Sequence, residues 1–261
     1  MSQFDVTVGP DSTPVRPGVR KIGPADLKDA LAKGIDDFLA MPSSHVFLGL
    51  IYPIAGLCLA GYALPMLFPL MAGFALVGPF AGIGLYEMSR CRELGLDTWE
   101  HAFDVVRSHS IFSILSLGLL LLVIFAGWEF TAQALYVALF GLQPESFTQI
   151  ITNIFDTPQG WKLIGFGTAI GFVFAVVALS ISVVSFPFLL DRDGGVPVAV
   201  QTSVRAVLAN PVTMALWGLI VASILAIGFL LLFVGLAVAV PVLAHSSWHL
   251  YRKVVEPVGP V

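Results

Sequence analysis

The chain has 261 residues, of which 57% are apolar and only 11% are charged, and its formal net charge at pH 7 is −4. A soluble domain usually carries about 25% charged residues, so most of the surface of this chain is predicted to face lipid. The small net charge gives no indication of a nucleic-acid partner. The two cysteines, Cys58 and Cys91, fit neither a disulfide framework nor a zinc motif.

Long stretches without Asp, Glu, Lys or Arg predict the membrane crossings. Two of them, residues 45–86 and 206–251, are too long for one helix, because a bilayer core about 30 Å thick needs about 20 residues. Each is therefore predicted to hold two helices joined by a turn, which lies near Gly228 in the second stretch. The predicted spans are, in chain order, residues 45–62, 65–86, 109–128, 164–188, 211–227 and 229–247.

The basic residues predict the orientation, because Lys and Arg concentrate in cytoplasmic loops. With six spans, twelve of the 13 basic residues fall on one side of the membrane, and only Lys162 falls on the other. We therefore expect a multi-pass protein of the bacterial inner membrane with both termini in the cytoplasm. The predicted domain is residues 21–255, with a disordered tail at 1–20 and a second tail at 256–261. Residues 129–162 are predicted to be an external loop with an interfacial helix.

The chain is predicted to contain three repeated units. Each is a short amphipathic helix in the membrane interface followed by a transmembrane hairpin, and the units are related by a pseudo-threefold axis. The amphipathic helices are predicted before the first, third and fifth spans, the outer two at 25–40 and 197–209. Residues 34–50 align without a gap on 203–219. Chance similarity between apolar helices is the alternative explanation.

The first amphipathic helix is the clearest of the three. Apolar side chains recur on one face at helical spacing, and they are Leu27, Leu31, Ile35, Phe38 and Leu39. Charged side chains lie off this stripe, including Asp36 and Asp37. The helix is therefore predicted to lie with its apolar stripe in the acyl boundary.

Three prolines lie toward the cytoplasmic ends of the even-numbered spans, at Pro79, Pro187 and Pro241. Proline removes a helix hydrogen bond and can kink the helix. Equivalent kinks could open a cavity toward the cytoplasm, or they could serve local packing alone.

Few residues suggest chemistry, and no P-loop, HExxH, paired CxxC or GxSxG motif is present. His245 and His249 are four apart, so one helical face carries both. They could belong to a metal or haem site, although interfacial histidines near a helix end are the simpler interpretation. No catalytic, cofactor-binding or metal-binding residue is assigned. The residues that we single out as functional or structural candidates are Pro79, Tyr86, Glu87, Arg90, Pro187, Pro241, His245 and His249.

The sequence FALVGPFAGIGLYEMSR at residues 74–90, with Met41–His45 (MPSSH), resembles a family of uncharacterised bacterial integral membrane proteins. Some members of that family are labelled as candidate cytochrome c oxidase subunits. The resemblance covers residues 20–255 and carries no functional residues with it. The resemblance implies association with a respiratory complex. The chain would be an accessory subunit there, because it lacks the histidines that a catalytic oxidase subunit carries deep within its spans.

Two functions are consistent with these patterns. The first is a non-enzymatic accessory or assembly factor of a membrane complex, whose partners are the lipid bilayer and another membrane protein complex. The alternative is a transporter or channel for a small molecule or lipid, because internal repeats are common in transporters.

Overall fold

The computed structural model describes residues 17–41, 82–96, 110–142, 147–192, 194–231 and 235–257. Within these ranges the regular structure is helical, apart from an isolated antiparallel bridge between Val19 and Val255. The all-helical class is therefore confirmed. The helices are α1 (Pro24–Ala40), α2 (residues 82–93), α3 (Ile111–Phe140), α4 (Phe147–Asp156), α5 (Pro158–Ser182), α6 (Ser185–Asp191), α7 (Gly195–Ala209), α8 (Pro211–Leu230) and α9 (Leu236–Val254).

Three segments in the described part of the chain are long and apolar enough to cross a membrane. They are α3, α5 together with α6, and the first 18 residues of α8. They correspond to the third, fourth and fifth predicted spans. The sixth, 229–247, corresponds to α9, which is not among the three. The first span and nearly all of the second lie outside the described residues, as do Pro79 and the middle amphipathic helix. The six-span repeat therefore stays a prediction.

The predicted end of the third span at residue 128 is wrong. Helix α3 continues to Phe140, so Glu129 and the segment predicted to be an interfacial helix belong to one helix of 30 residues. No glycine or proline interrupts residues 128–140, and the helix ends only at Gly141, whose φ of 84° favours glycine. At 1.5 Å per residue α3 is about 45 Å long, longer than the bilayer core is thick.

The predicted fourth span is interrupted near its end. The chain turns at Val183 and Val184, between α5 and α6. Pro187 explains the position of the break, because a proline ring conflicts with the carbonyl four residues earlier, here that of Val183. The amide of Val184 donates instead to Ser203 Oγ of α7, at 3.2 Å. Pro241, in contrast, lies inside α9, which remains helical on both sides of it.

Helices α8 and α9 pack together as an antiparallel hairpin. The predicted turn near Gly228 comes slightly later, because α8 runs to Leu230. Gly228 and Gly235 permit a close approach at the turn, since a Cβ added at Gly235 would lie 2.8 Å from Gly228 Cα. At the other end of the hairpin, the segment that precedes α1 contacts both helices.

Residues 17–23, which we call the strap, lie between the residue before α8 and the residues at the C-terminal end of α9. Val19 pairs with Val255, and Ile22 donates its amide to Asn210 Oδ1 at 2.8 Å. The segments at residues 17–23 and 254–256 therefore lie side by side, which agrees with the even number of crossings predicted from the sequence.

Helices α1 and α7 end in the same way. Met41, which follows α1, has a φ of −135° and a ψ of 52°. Asn210, which follows α7, has a φ of −133° and a ψ of 52°. Each is followed by a proline, and the two are matched positions in the alignment of 34–50 with 203–219. This agreement is what a repeat predicts for the junction between an amphipathic helix and its hairpin.

The buried face of α1 differs from the apolar stripe predicted from the sequence, and the placement of that stripe on lipid stays a prediction. Its buried face is formed by Leu27, Ala30, Gly34 and Asp37, and it packs on α9. Ile35 and Leu39 of the predicted stripe remain exposed. The largest buried side chains cluster at this end of the molecule, beside the strap, and include Leu27, Leu117, Phe188, Met214, Trp217, Trp248 and Tyr251.

Candidate functional site

A buried carboxylate, Asp37, lies where α1, α2 and α9 meet. Gly34 and Asp37 share one face of α1, and the missing side chain of Gly34 allows α9 to come close. A Cβ added at Gly34 would lie 2.8 Å from Ser246 Cα. Because the backbones approach so closely, the short side chain of Asp37 reaches His249 on α9. It is 5% exposed.

Three side chains from α2 and α9 bind both oxygens of Asp37. Ser89 Oγ donates to Oδ2 at 2.6 Å, and His249 Nε2 lies 2.8 Å from the same oxygen. Arg92 Nη1 donates to Oδ1 at 2.5 Å. A carboxylate accepts several hydrogen bonds at once, so this arrangement suits an ionised Asp37.

His245 extends the hydrogen-bonded chain into the interior. Its Nδ1 lies 2.5 Å from Ser89 Oγ and 3.9 Å from Asp37 Oδ2. Since the Ser89 proton is donated to Asp37, we assign a proton to Nδ1 of His245, which then donates to Ser89. Serine, histidine and aspartate also form the triad of acyl-transfer enzymes. Here Ser89 and His245 are 0% exposed, so the hydroxyl does not face an open site.

The electrostatics of the cluster favour the charged form of Asp37. Burial by itself raises the pKa of a carboxyl group. The hydrogen bonds from His249 and Ser89, with the charges of His249 and His245, outweigh this effect and lower the pKa of Asp37 to about 2.

A second group of charges continues from His249 toward the surface. His249 Nδ1 is 3.8 Å from Glu93, which pairs with Arg252 at 3.2 Å. Arg252 also lies 3.7 Å from Asp191. The Tyr251 hydroxyl donates to Asp191 Oδ2 at 2.5 Å. Burial and this hydrogen bond raise the pKa of Tyr251.

The structure brings together only some of the predicted candidates. His245 and His249 lie in the cluster. Glu87 and Arg90 form a two-pronged ion pair at 2.8 and 2.9 Å within α2, and Tyr86 on the same helix is hydrogen-bonded to Ser247. The other candidates described are elsewhere: both Pro187 and Pro241 are buried.

Sequence reasoning missed Asp37, Ser89 and Arg92. The pattern in α1 placed Asp36 and Asp37 together on the polar face, yet Asp36 is exposed and Asp37 is buried. The signal that could have separated them is Gly34, three residues before Asp37, which marks a close helix contact.

His245 and His249 do not belong to a recognisable metal centre among the described residues. In the part of the chain that the structure describes, no group of three or more His, Cys, Asp or Glu residues could hold a metal ion. The ring nitrogen of His249 nearest Asp37 already has that carboxylate as its partner. The geometry thus fits a network of internal hydrogen bonds and ion pairs.

Comparison with known proteins agrees with a membrane location. Residues 67–191 match DUF2189, a family described as predicted integral membrane protein. The match covers just under half of the chain and includes Ser89 and Arg92, but it excludes α1 and α9 with Asp37, His245 and His249. No curated protein and no solved structure matches the chain.

Proposed function

We propose that the protein is a non-enzymatic accessory or assembly factor of a complex in the bacterial inner membrane, with six spans and both termini in the cytoplasm. The observation that carries the proposal is the exposure of the apolar spans. In the most apolar stretch of 18 residues in α3, only 17% is buried. In the corresponding stretch of α8, only 22% is buried. In the part of the chain that the structure describes, the rest of each stretch is uncovered, and we infer that lipid or another membrane protein contacts it.

The polar cluster supports a non-enzymatic role. Its charged groups are bound to one another, and its hydroxyl and inner histidine are buried. The cluster therefore holds three helices together, while the exposed helices are the surface available for a partner. A respiratory complex is the candidate partner that the family resemblance implies.

Site-specific photocrosslinking in native membranes tests this proposal. A photoreactive phenylalanine analogue would replace Phe112 or Phe130, which are 78% and 77% exposed on α3, and a control would replace the buried Trp217. We expect the two α3 positions to crosslink to the same membrane protein, identified by mass spectrometry, and the control to give none. Crosslinks to lipid alone at both α3 positions would contradict the proposal.

An apolar groove between α3 and α5 favours the alternative, a transporter or channel for a lipid or small molecule. The groove holds about 370 Å³ and is lined by leucines and aromatic rings. Two of these rings, Trp128 and Phe174, contact each other with their centroids 6.0 Å apart. The variant Ala175→Phe would fill the groove, and its effect distinguishes the two proposed functions. Loss of lipid or solute movement in proteoliposomes, with the α3 crosslinks retained, supports transport.

A further inference from the structure

The basic residues at the end of the molecule beside the strap fall into two groups. Most are paired with acids: Lys33 with Asp29, Arg90 with Glu87, Arg92 with Asp37, Arg192 with Asp191, Arg252 with Glu93 and Lys253 with Asp26. Among the described residues, no ion pair is found for Arg20, Lys21, Lys28 or Arg205. The charges of the first group are neutralised by their acidic partners, and the second group leaves positive charge on the surface.

Three of the four unpaired residues lie on two segments that are hydrogen-bonded to each other. Arg20 and Lys21 lie on the strap, and Arg205 lies on α7. Asn210 joins the segments, since its Nδ2 donates to the carbonyl of Arg20 at 3.0 Å. Arg205 Nη1 donates to the carbonyl of Pro17 at 3.3 Å. These contacts use backbone oxygens, so they leave the positive charges uncompensated.

Exposed apolar side chains lie next to these charges. Leu208 is 74% exposed at the end of α7, and Val212 is 81% exposed at the start of α8. Leu208 follows Arg205 by three residues, so the two share one face of α7. Since α8 is a candidate span from Pro211 onward, this junction lies at the boundary between water and hydrocarbon.

Two of the described acids, Glu256 and Asp26, lie close to this region. The Glu256 side chain occupies the space over Gly18 of the strap, and its carbonyl accepts a hydrogen bond from Arg192. Asp26 accepts a hydrogen bond from the Gly23 amide but is paired with Lys253. Glu256 alone cannot balance three basic side chains, so the described part of this surface keeps a net positive charge.

We propose that Arg20, Lys21, Arg205, Leu208 and Val212 form a binding surface for an anionic phospholipid of the surrounding bilayer. The three basic side chains bind the phosphate-containing headgroup, and Leu208 and Val212 contact its acyl chains. Basic residues at the cytoplasmic membrane surface attract anionic lipids in this way, and long basic side chains readily reach the headgroup level. The apolar neighbours favour a lipid over free phosphate.

The experiment measures lipid binding to the full chain by native mass spectrometry. The protein is delipidated in detergent and titrated with phosphatidylglycerol or with phosphatidylcholine. We expect tighter binding of phosphatidylglycerol, and we expect Arg205→Gln to weaken it about five-fold, the effect of one basic residue at a membrane surface. Replacing Arg20, Lys21 and Arg205 together should abolish the preference for the anionic lipid.

Lys28→Gln is the matched control, because Lys28 is also exposed and unpaired but lies on α1. It should leave phosphatidylglycerol affinity unchanged. An equal loss in Lys28→Gln and Arg205→Gln would mean diffuse attraction to the whole positive face and would overturn the site. Equal binding of the two lipids by the unmodified protein would overturn it as well.

A further pair of measurements distinguishes lipid from free phosphate. Leu208→Ser should weaken phosphatidylglycerol binding, and millimolar inorganic phosphate should not displace the lipid. Full displacement by phosphate, with no effect of Leu208→Ser, would assign the site to a free anion and reject the lipid. The single variants change exposed side chains only, so thermal melting is expected to match that of the unmodified protein.

Discussion

At the scale of single residues, Asp37 has the most connections of any described acid. It links α1 to α2 through Ser89 and Arg92, and to α9 through His249. Breaking a buried ion pair from one side leaves its partners without compensation. The stability of this end of the molecule should therefore depend on the charge of one carboxylate.

Asp37→Asn tests that dependence. We expect it to lower the free energy of unfolding by about 1–3 kcal/mol, less than for a fully buried pair, because Arg92 is 41% exposed and can turn toward water. The control is Asp36→Asn, an exposed neighbour of the same type, which should change stability by less than about 0.5 kcal/mol. Melting in detergent is the measurement, and equal effects of the two variants would contradict the prediction.

The pH dependence of stability follows from the same group. The pKa of Asp37 is about 2 in the folded protein, below its ordinary value of 3.8. A lowered pKa stabilises the fold above the unfolded-state value, and the stabilisation is lost as the pH falls from about 4 to about 2. The expected loss is on the order of 2 kcal/mol. Melting temperatures across this range should fall more steeply for the unmodified protein than for Asp37→Asn, and parallel curves would argue against this role.

His245 and His249 were predictable as a pair, since their spacing of four fixes a shared face on any helix. Asp37 was not predictable, because its burial depends on which side of α1 meets α9. The apolar stripe of α1 indicated a different face, directed to lipid. The close approach at Gly34 is a tertiary contact between residues more than 200 positions apart, and periodicity within α1 carries no information about it.

At the scale of elements, helix type and approximate position could be predicted from local patterns. The starts of α1 and α7 agree with the predicted helices to within two residues. The errors lie where a local signal was absent or tertiary contacts decided the outcome. Helix α3 continued because no residue ended it, and the break before α6 is completed by Ser203 from another helix.

Gly34→Ala tests the contact between α1 and α9. An added methyl group would overlap the backbone at Ser246, and overpacking of this kind costs about 1–3 kcal/mol. Gly118→Ala in α3 is the control, since a Cβ there meets nothing within 4 Å, and it should not destabilise the protein. Thermal unfolding of both variants is the comparison. A Gly34→Ala protein as stable as the unmodified one would mean that α1 and α9 are less closely packed.

Ser203→Ala tests the break between α5 and α6. It leaves the amide of Val184 without its partner, and an unsatisfied buried donor costs about 1–3 kcal/mol. Ser180→Ala is the matched control, because that hydroxyl only donates to the carbonyl of Val176 in its own helix. We expect a clear fall in melting temperature for Ser203→Ala and almost none for Ser180→Ala. Similar values for the two would show that another group satisfies Val184.

At the scale of the whole molecule, two packing contacts agree with the predicted threefold repeat. Helix α1, from the first unit, packs on α9, the second hairpin helix of the third unit. Helix α7, from the third unit, packs on α5 and α6, which form the second hairpin helix of the second unit. Each of the two described amphipathic helices thus contacts the predicted unit before it in cyclic order. Three copies placed around an axis would produce this pattern.

The pairing of the chain ends gives the first part of a topology test. Paired residues on adjacent strands have Cα atoms about 4.5–5.5 Å apart, which is within the range of a disulfide bond. In a chain with Cys58 and Cys91 replaced by serine, Val19→Cys and Val255→Cys together should form a disulfide on mild oxidation. A shift of the intact protein on a non-reducing gel measures it, and Val19→Cys with a cysteine in place of Leu142 is the negative control.

The second part asks on which side of the membrane those ends lie. Single cysteines are placed at position 18, at position 256 and at Leu142, in the same cysteine-free chain. Because the basic residues favour the cytoplasm, positions 18 and 256 should react with a membrane-impermeant maleimide only after the cells are opened. Leu142 follows the full length of α3, which begins on the side of the strap, so it should react in intact cells. Labelling of Leu142 only after opening would reject the orientation, and opposite results at 18 and 256 would reject an even number of crossings.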